Sequence, residues 1–268
     1  MAYAKINSIT NANMAKVNSA AKATLGKIGS IDAPAASFVN TYSLDFDGTN
    51  DHLVSGSSIT FDRGTIAFWQ KTHFIGSEAE GDGNFIPFHL DSTFYIYMSW
   101  NSIITRPYVI HPASGSFFDN TSDIADGEWH HIALTIAGGG SGAENTSIIY
   151  VDGEVGRTVT STRTYTAPSD TIKFGGNFSS SYYMDGNLDE LGIWSSALSG
   201  SEITAIYNSG APTDLTVDAG NYVSSGSLTG YWRMGDGDTY STIEDNVGSN
   251  DMEMTNMGEE DLVEDVPS

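Results

Sequence analysis

Met184–Gly210 reads MDGNLDELGIWSSALSGSEITAIYNSG, and this stretch decides the fold. Asp185-Gly186 is predicted to turn the chain, because glycine takes φ > 0 at no steric cost and aspartate tolerates unusual neighbouring geometry. Leu188, Leu191, Ile193 and Trp194 then make a short, mostly apolar strand. Ser199 stands three residues before Glu202, the spacing of a capping box, and Ile203, Ile206 and Tyr207 give one apolar helical face. Gly210 and Pro212 end the helix.

Working outward, strand patterns dominate the flanks. In Trp129–Ile136 the residues His130, Ile132, Leu134 and Ile136 share one face, while Trp129, His131, Ala133 and Thr135 share the other. The strand over 147–151 runs into Asp152-Gly153, a two-residue hairpin signal. Segments 94–100 and 103–110 add apolar strands, and Pro107 suggests that the second lies near an edge or a bulge.

Four segments in this order carry a resemblance: SLDFDGTNDHLV (43–54), GTIAFWQK (64–71), the pair DGEWHHIALTI and IIYVDGEV between 126 and 155, and the strand–helix unit of the opening quotation. Together they resemble a laminin-G-like (concanavalin A-like) domain across about residues 42–212. The resemblance implies an all-β jelly-roll sandwich with one short helix. It leaves function open, because lectins, hydrolases, adhesion modules and virion proteins share such folds.

The segment YWRMGDGDTYSTIEDNVGSNDMEMTNM (231–257) resembles the stretch that normally opens such a domain, yet here it follows the helix. Two arrangements account for it: a permuted order in which 228–257 completes the same sandwich, or a truncated second domain. About 40 residues bury no independent core, which favours the first. The expected organisation is an arm over 1–41 and a sandwich over 42–268. The closing GEEDLVEDVPS is expected to be an exposed acidic tail or a docked strand.

Composition narrows the partners. The chain has 268 residues, no cysteine and a net charge of −23, which excludes disulfides and thiolate metal sites and disfavours nucleic acid and anionic membranes. No stretch is apolar and long enough to span a bilayer, and no apolar export signal is visible. The absence of cysteine leans toward a microbial or viral origin. Charge is unevenly spread: residues 1–34 hold four lysines against Asp32, whereas from Asp236 onward there are eleven acidic residues and no basic one.

The first region repeats itself every eleven residues, with Lys5-Ile6, Lys16-Val17 and Lys27-Ile28 in equivalent places. Eleven residues make about three helical turns, so lysines would return to one face. Gly26 and Gly29 weaken a continuous helix, and an extended arm that orders on a partner is an equal alternative, beside a leader with no role. Such arms resemble the leaders of structural proteins in some marine bacteriophages. That resemblance implies particle docking through Lys5, Ile6, Lys16, Val17, Lys27 and Ile28.

Catalytic signatures are weak. Retaining β-glucan cleavage needs two carboxyls about 5 Å apart, and no Glu-x-Asp-x-Glu cluster occurs. The nearest approach, Asp185 with Asp189-Glu190, is expected to put the adjacent residues on opposite strand faces. The histidines form no zinc pattern. Calcium suits the oxygen donors better. The family resemblance implies one structural Ca2+ where the FDG turn meets the strand before the helix, with Asp47, Asn50, Asp51 and Asp189 as ligands; the alternative is that these side chains only cap turns. Aromatic and planar polar groups suited to sugar rings occur at Trp100, Asn101, Tyr182 and Tyr183, although aromatics in a sandwich are commonly core.

The expectation is a non-enzymatic virion structural protein (capsid decoration, tail fibre or appendage subunit) displaying a lectin-like sandwich. Its partners would be other virion proteins or a second copy, with surface glycans as a further class. The alternative is a microbial surface lectin binding polysaccharide, and a glycoside hydrolase ranks third.

Overall fold

The structure, a computed structural model, describes residues 38–73, 85–100, 105–119, 123–176 and 182–268. Lys5, Ile6, Lys16, Val17, Lys27, Ile28 and Asn101 lie outside the described residues. In chain order the first strands are β1 Ser43–Asp47, β2 His52–Thr60, β3 Gly64–Thr72, β4 Phe85–Asp91, β5 Phe94–Trp100, β6 Thr105–His111, β7 Gly115–Phe118 and β8 His130–Gly138. There follow β9 Asn145–Val151, β10 Glu154–Ser161, β11 Ser169–Phe174, β12 Asp185–Trp194, helix α1 Gly200–Tyr207, β13 Leu228–Trp232, β14 Thr242–Ile243, β15 Met252–Thr255 and β16 Leu262–Val263.

These strands make two antiparallel sheets. Sheet A has the order β10-β9-β8-β3-β12-β1-β16, with β13 also on β12; sheet B runs β14-β15-β2-β11-β4-β5-β6-β7. The period-2 pattern explains the sandwich. Ile66 and Phe68 of β3, Ile132 and Leu134 of β8 and Leu188 of β12 point inward from sheet A. From sheet B they meet Leu53, Phe88, Phe94, Ile96, Val109 and Phe174, all without solvent exposure.

The C-terminal segment contributes to both sheets. β13 pairs with β12, β15 with β2 and β16 with β1. The tail is therefore a docked strand: Asp265 accepts hydrogen bonds from Lys71 Nζ (2.8 Å) and Trp129 Nε1 (3.0 Å), and its carbonyl accepts one from Ser43 Oγ (2.6 Å). The compact unit that holds the sandwich begins at Phe38 and so includes 38–41. Asn40 donates to Asp189 (2.7 Å), the Thr41 amide to Asp236 (2.8 Å), and Arg233 to the carbonyl of Val39 (2.6 Å). Among the described residues, no helix is long and apolar enough to cross a membrane.

The opening quotation needs one correction. Asp185-Gly186 is not a turn but the start of β12, where Gly186 lies against β3 and a Cβ would run into the carbonyl oxygen of Lys71. Close backbone approach, not a turn, calls for glycine here. Pro107, expected near an edge or a bulge, sits on β6 beside the edge strand β7. The helix is capped as its spacing predicts: the Glu202 amide donates to Ser199 Oγ (3.3 Å) and the Ser199 amide to Glu202 Oε2 (2.8 Å), and Asn208 ends the helix at φ 47°.

Candidate functional site

The outer faces of the two sheets differ in what they carry. On sheet A, α1 and the segment after it bury Ala67, Ala133, Tyr150, Trp194, Ile203, Ile206, Leu215 and Tyr222 in a second core. On sheet B the outward positions of β4–β7 include a run of aromatic side chains that are only half buried. Strand register assembles them. His89 opposes Tyr95, Tyr97 opposes Tyr108, and Tyr108 opposes Phe118, so these five side chains share one face over four neighbouring strands.

The rings touch in series. His89 stacks on Tyr95 at 5.8 Å between centroids, Tyr97 meets Tyr108 edge-on at 6.2 Å, and Tyr108 lies 5.0 Å from Phe118. Tyr182 joins from the chain before β12, 5.6 Å from Tyr97, and the Ile86 amide donates to its carbonyl (3.1 Å). Arg106, which opposes Ser99, places its guanidinium 4.4 Å above the Phe118 ring. Lys173 of β11 lies beside His89 in the ladder and pairs with Asp170 at 3.6 Å.

Burial sets the protonation of this face. Desolvation, with Lys173 adding to it, lowers His89 to about 4, so the imidazole is neutral at pH 7. Its Nδ1 is buried with no hydrogen-bond partner. Desolvation and the neighbouring tyrosines raise Tyr95, whose phenol therefore stays protonated. The face thus offers flat apolar rings edged by neutral hydroxyl groups and one cation stacked on a ring. Such surfaces suit ligands that are apolar on one side and hydroxylated at the rim.

The sequence-derived sugar residues fall partly on this face. Tyr182 is in the ring series; Tyr183 lies 6.0 Å from His52 and covers Gly176, where a Cβ would collide with the tyrosine ring. Trp100 ends β5 opposite Thr105. Sequence reasoning missed His89, Tyr95, Tyr97, Arg106, Tyr108 and Phe118. The signal was present in FYIYMSW (94–100), where Phe, Ile and Met alternate with Tyr, Tyr and Ser.

The expected calcium ligands do not fit one ion. Asp47, Asn50 and Asp51 share a turn, with Asp47 Oδ1 accepting the amides of Thr49 (2.8 Å) and Asn50 (3.3 Å) and Asp51 accepting the amide of Asp47 (3.0 Å). Asp189 is elsewhere. Asp47 opposes Asp185 in the β1–β12 ladder, which leaves Asp189 four residues, about 13 Å, further along. Among the described residues, no three His, Asp or Glu side chains gather to hold a metal.

Asp189 and Glu190 also depart from expectation. In the pairing of β12 with β3, Asp189 opposes Trp69 and Gly192 opposes Ala67, so two residues of β12 face one of β3. Glu190 takes φ 52° in this bulge. Both carboxyls therefore turn to the outer side of sheet A instead of opposite faces. Glu190 accepts hydrogen bonds from Tyr231 and from Arg233 Nε (3.2 Å), and burial raises it to about 7. Burial and the Glu190 charge hold Asp189 well above the usual carboxylate range. With 0% and 3% exposure, both carboxyls are almost wholly withdrawn from solvent.

Comparison with known structures supports the fold. A candidate carbohydrate-binding protein from Bacteroides ovatus ATCC 8483 superposes with a TM-score of 0.60 at 16% identity, covering 86% of this chain. The match spans 62% of that protein's length. A native heptameric SAP-like pentraxin from Limulus polyphemus gives a TM-score of 0.51 at 18% identity, covering 64% of this chain and 84% of the pentraxin. A search of curated protein sequences gives no match. The model of the concanavalin A-like lectin/glucanases superfamily matches residues 46–204, more than half of the sequence, and the chain belongs to that family.

Proposed function

We propose that the sandwich is a non-enzymatic carbohydrate-binding module whose binding surface is the outer face of sheet B. The observation that carries this reading is the series Tyr182–Tyr97–Tyr108–Phe118, half-buried rings in mutual contact on one face. Sugar rings present apolar C–H faces and hydroxyl edges, the complement of such a surface. Family membership and the resemblance to a candidate carbohydrate-binding protein support the same assignment. Against hydrolysis stands the placement of Asp189 and Glu190, whose buried carboxyls are engaged by Asn40, Tyr231 and Arg233.

Affinity electrophoresis in gels containing soluble polysaccharides, or a glycan array, tests the assignment. The full chain should show saturable binding that Tyr97→Ala and Tyr108→Ala each weaken by about tenfold, the scale of one lost aromatic contact. Binding that survives both substitutions would move the site off this face. No reducing sugar should appear on incubation with β-glucans.

The virion role is a second reading. It rests on the eleven-residue lysine repeat of the first region and on the compact unit beginning at Phe38. In this reading the arm docks to a particle while the acidic sandwich displays the glycan-binding face. Deleting residues 1–34 should abolish attachment to the particle and leave the sandwich folded. Attachment that persists after the deletion removes this reading.

A further inference from the structure

We infer that the glycan recognised by the outer face of sheet B is anionic, and that Arg106 is the residue that selects it through a carboxylate or sulfate ester on the sugar. The inference rests on the carbohydrate-binding reading of this face and specifies the substrate class.

The starting observation is the state of the cations. Among the described residues, Arg63 pairs with Asp62, Lys71 with Asp265, Lys173 with Asp170, and Arg233 with Glu190 and Asp236. Arg106 has no such carboxylate within 4 Å among the described residues, although acidic residues outnumber basic ones 34 to 11. It is instead held against Phe118, one ring along from Tyr108. Arg157 and Arg163 also lack an ion pair there, but Arg157 is on β10 of sheet A and Arg163 packs over the β6–β7 turn at Gly115.

Stacking on an aromatic ring satisfies the guanidinium face and leaves the N–H donors of its edge for hydrogen bonding, and that rigid fork matches planar or tetrahedral oxyanions. The other two basic side chains of this face supply little charge. His89 is neutral, and Lys173 is counterbalanced by Asp170. Arg106 stands two residues from Tyr108 on β6, about 7 Å along the strand, and its guanidinium lies over Phe118, whose ring is 5.0 Å from Tyr108, so a sugar lying on Tyr97 and Tyr108 would bring a ring substituent to its edge. The chain's negative charge repels polyanions at long range, but over more than about 8 Å that repulsion is screened at physiological salt. Contact at Arg106 therefore decides selectivity.

The test uses matched pairs on the full-length chain: polygalacturonate against its fully methyl-esterified form, and a sulfated galactan against the same galactan after desulfation. Titration calorimetry measures each for wild type, Arg106→Gln, Arg106→Lys and Tyr108→Ala. The expected result is at least tenfold tighter binding to the charged member of one pair, which pair identifying carboxylate or sulfate. Arg106→Gln should erase that preference while leaving the uncharged member unaffected, Arg106→Lys should restore part of it, and Tyr108→Ala should weaken both members. Equal affinity within both pairs, with Tyr108→Ala still weakening them, overturns the role of Arg106 and leaves carbohydrate binding standing. An unchanged preference in Arg106→Gln also overturns it. Absence of wild-type binding to every member, with none on a wider neutral panel, overturns both readings.

Discussion

The outer faces of sheets A and B begin from the same strand geometry and end with opposite surfaces. Every strand presents alternate side chains outward, so a two-sheet sandwich has two outer faces to dispose of. On sheet A the outward residues are small or fully buried, Ala67 and Ala133 beside Trp194, and α1 lays Ile203 and Ile206 over them. On sheet B they are Tyr95, Tyr97, Tyr108 and Phe118, each half exposed. A face that recruits its own cover contributes to stability; a face that keeps large rings partly in water contributes to recognition. The difference is what the carbohydrate-binding proposal rests on, in a fold whose interior carries no such information.

That contrast is breakable by substitution. The largest effect is expected on sheet A. Trp194 is fully buried, and its indole N–H donates to Tyr222 Oη (2.9 Å), which in turn donates to the carbonyl of Leu215 (2.8 Å). Trp194→Ala should cost about 3–5 kcal/mol in chemical denaturation. A loss below about 1 kcal/mol would mean that α1 is not a structural cover. Glu190→Ala comes next. It leaves Arg233 without its nearest carboxylate and empties the bulge, at about 3 kcal/mol, and at φ 52° alanine is itself strained.

Effects of pH sharpen the same comparison, because sheet A and its flanking turns hold most of the shifted groups. His130 is raised by its contacts with Asp152 (2.8 Å) and Asp126 (3.0 Å), which outweigh burial, and His73 is raised chiefly by Asp185. Glu190 is raised to about 7 and Asp51 to about 6, both by burial. A folded pKa above the unfolded one contributes stability that is present below the unfolded value and lost as pH climbs through the folded value. All four groups act in that direction, and growing self-repulsion of the acidic chain adds to it. Asp91, Asp126, Glu202 and Asp265 are lowered by hydrogen bonds, so their contribution is lost only as pH falls below the usual carboxylate range. Burial lowers His89, His111 and His131 to about 4, so stability is also lost as pH falls below the ordinary histidine value of 6.5, and urea midpoints should therefore peak between about pH 6 and 7 and decline on both sides. His130→Gln should flatten the alkaline limb, and a midpoint rising steadily from pH 5 to 8 would contradict these assignments.

How much of this was legible in the sequence follows from the range of the interactions. Ser199–Glu202 and Asp152-Gly153 were readable because a capping box and a tight hairpin are closed by residues within three positions of each other. The inward face of β8 was readable because Ile132, Leu134 and Ile136 recur at every second position. The bulge at Glu190 was not, since it depends on how β12 meets β3, more than a hundred residues away. One extra residue there reversed the expected direction of a carboxyl. The same limit applies to the calcium set: FDGTND closes a local turn, but placing Asp189 beside it required the β1–β12 register. The aromatic face needed four strands in register, so only Tyr182, already suspected as a surface tyrosine, was named in advance.

The smallest effect on stability should come from the residues proposed to bind glycan. Tyr97 and Tyr108 are half buried on the outer side of sheet B, and each loses its packing against neighbouring rings when truncated. Part of that area already faces water, so Tyr97→Ala should cost about 1 kcal/mol or less, a fraction of the loss at Trp194. Tyr97→Phe removes only a hydroxyl and should fall within about 0.5 kcal/mol. If glycan affinity drops while the midpoint of Tyr97→Phe stays put, the phenol oxygen contacts ligand and the outer face of sheet B is maintained by recognition. If Tyr97→Ala instead destabilises as much as Trp194→Ala, the rings of sheet B form a third core, and the two faces are alike after all.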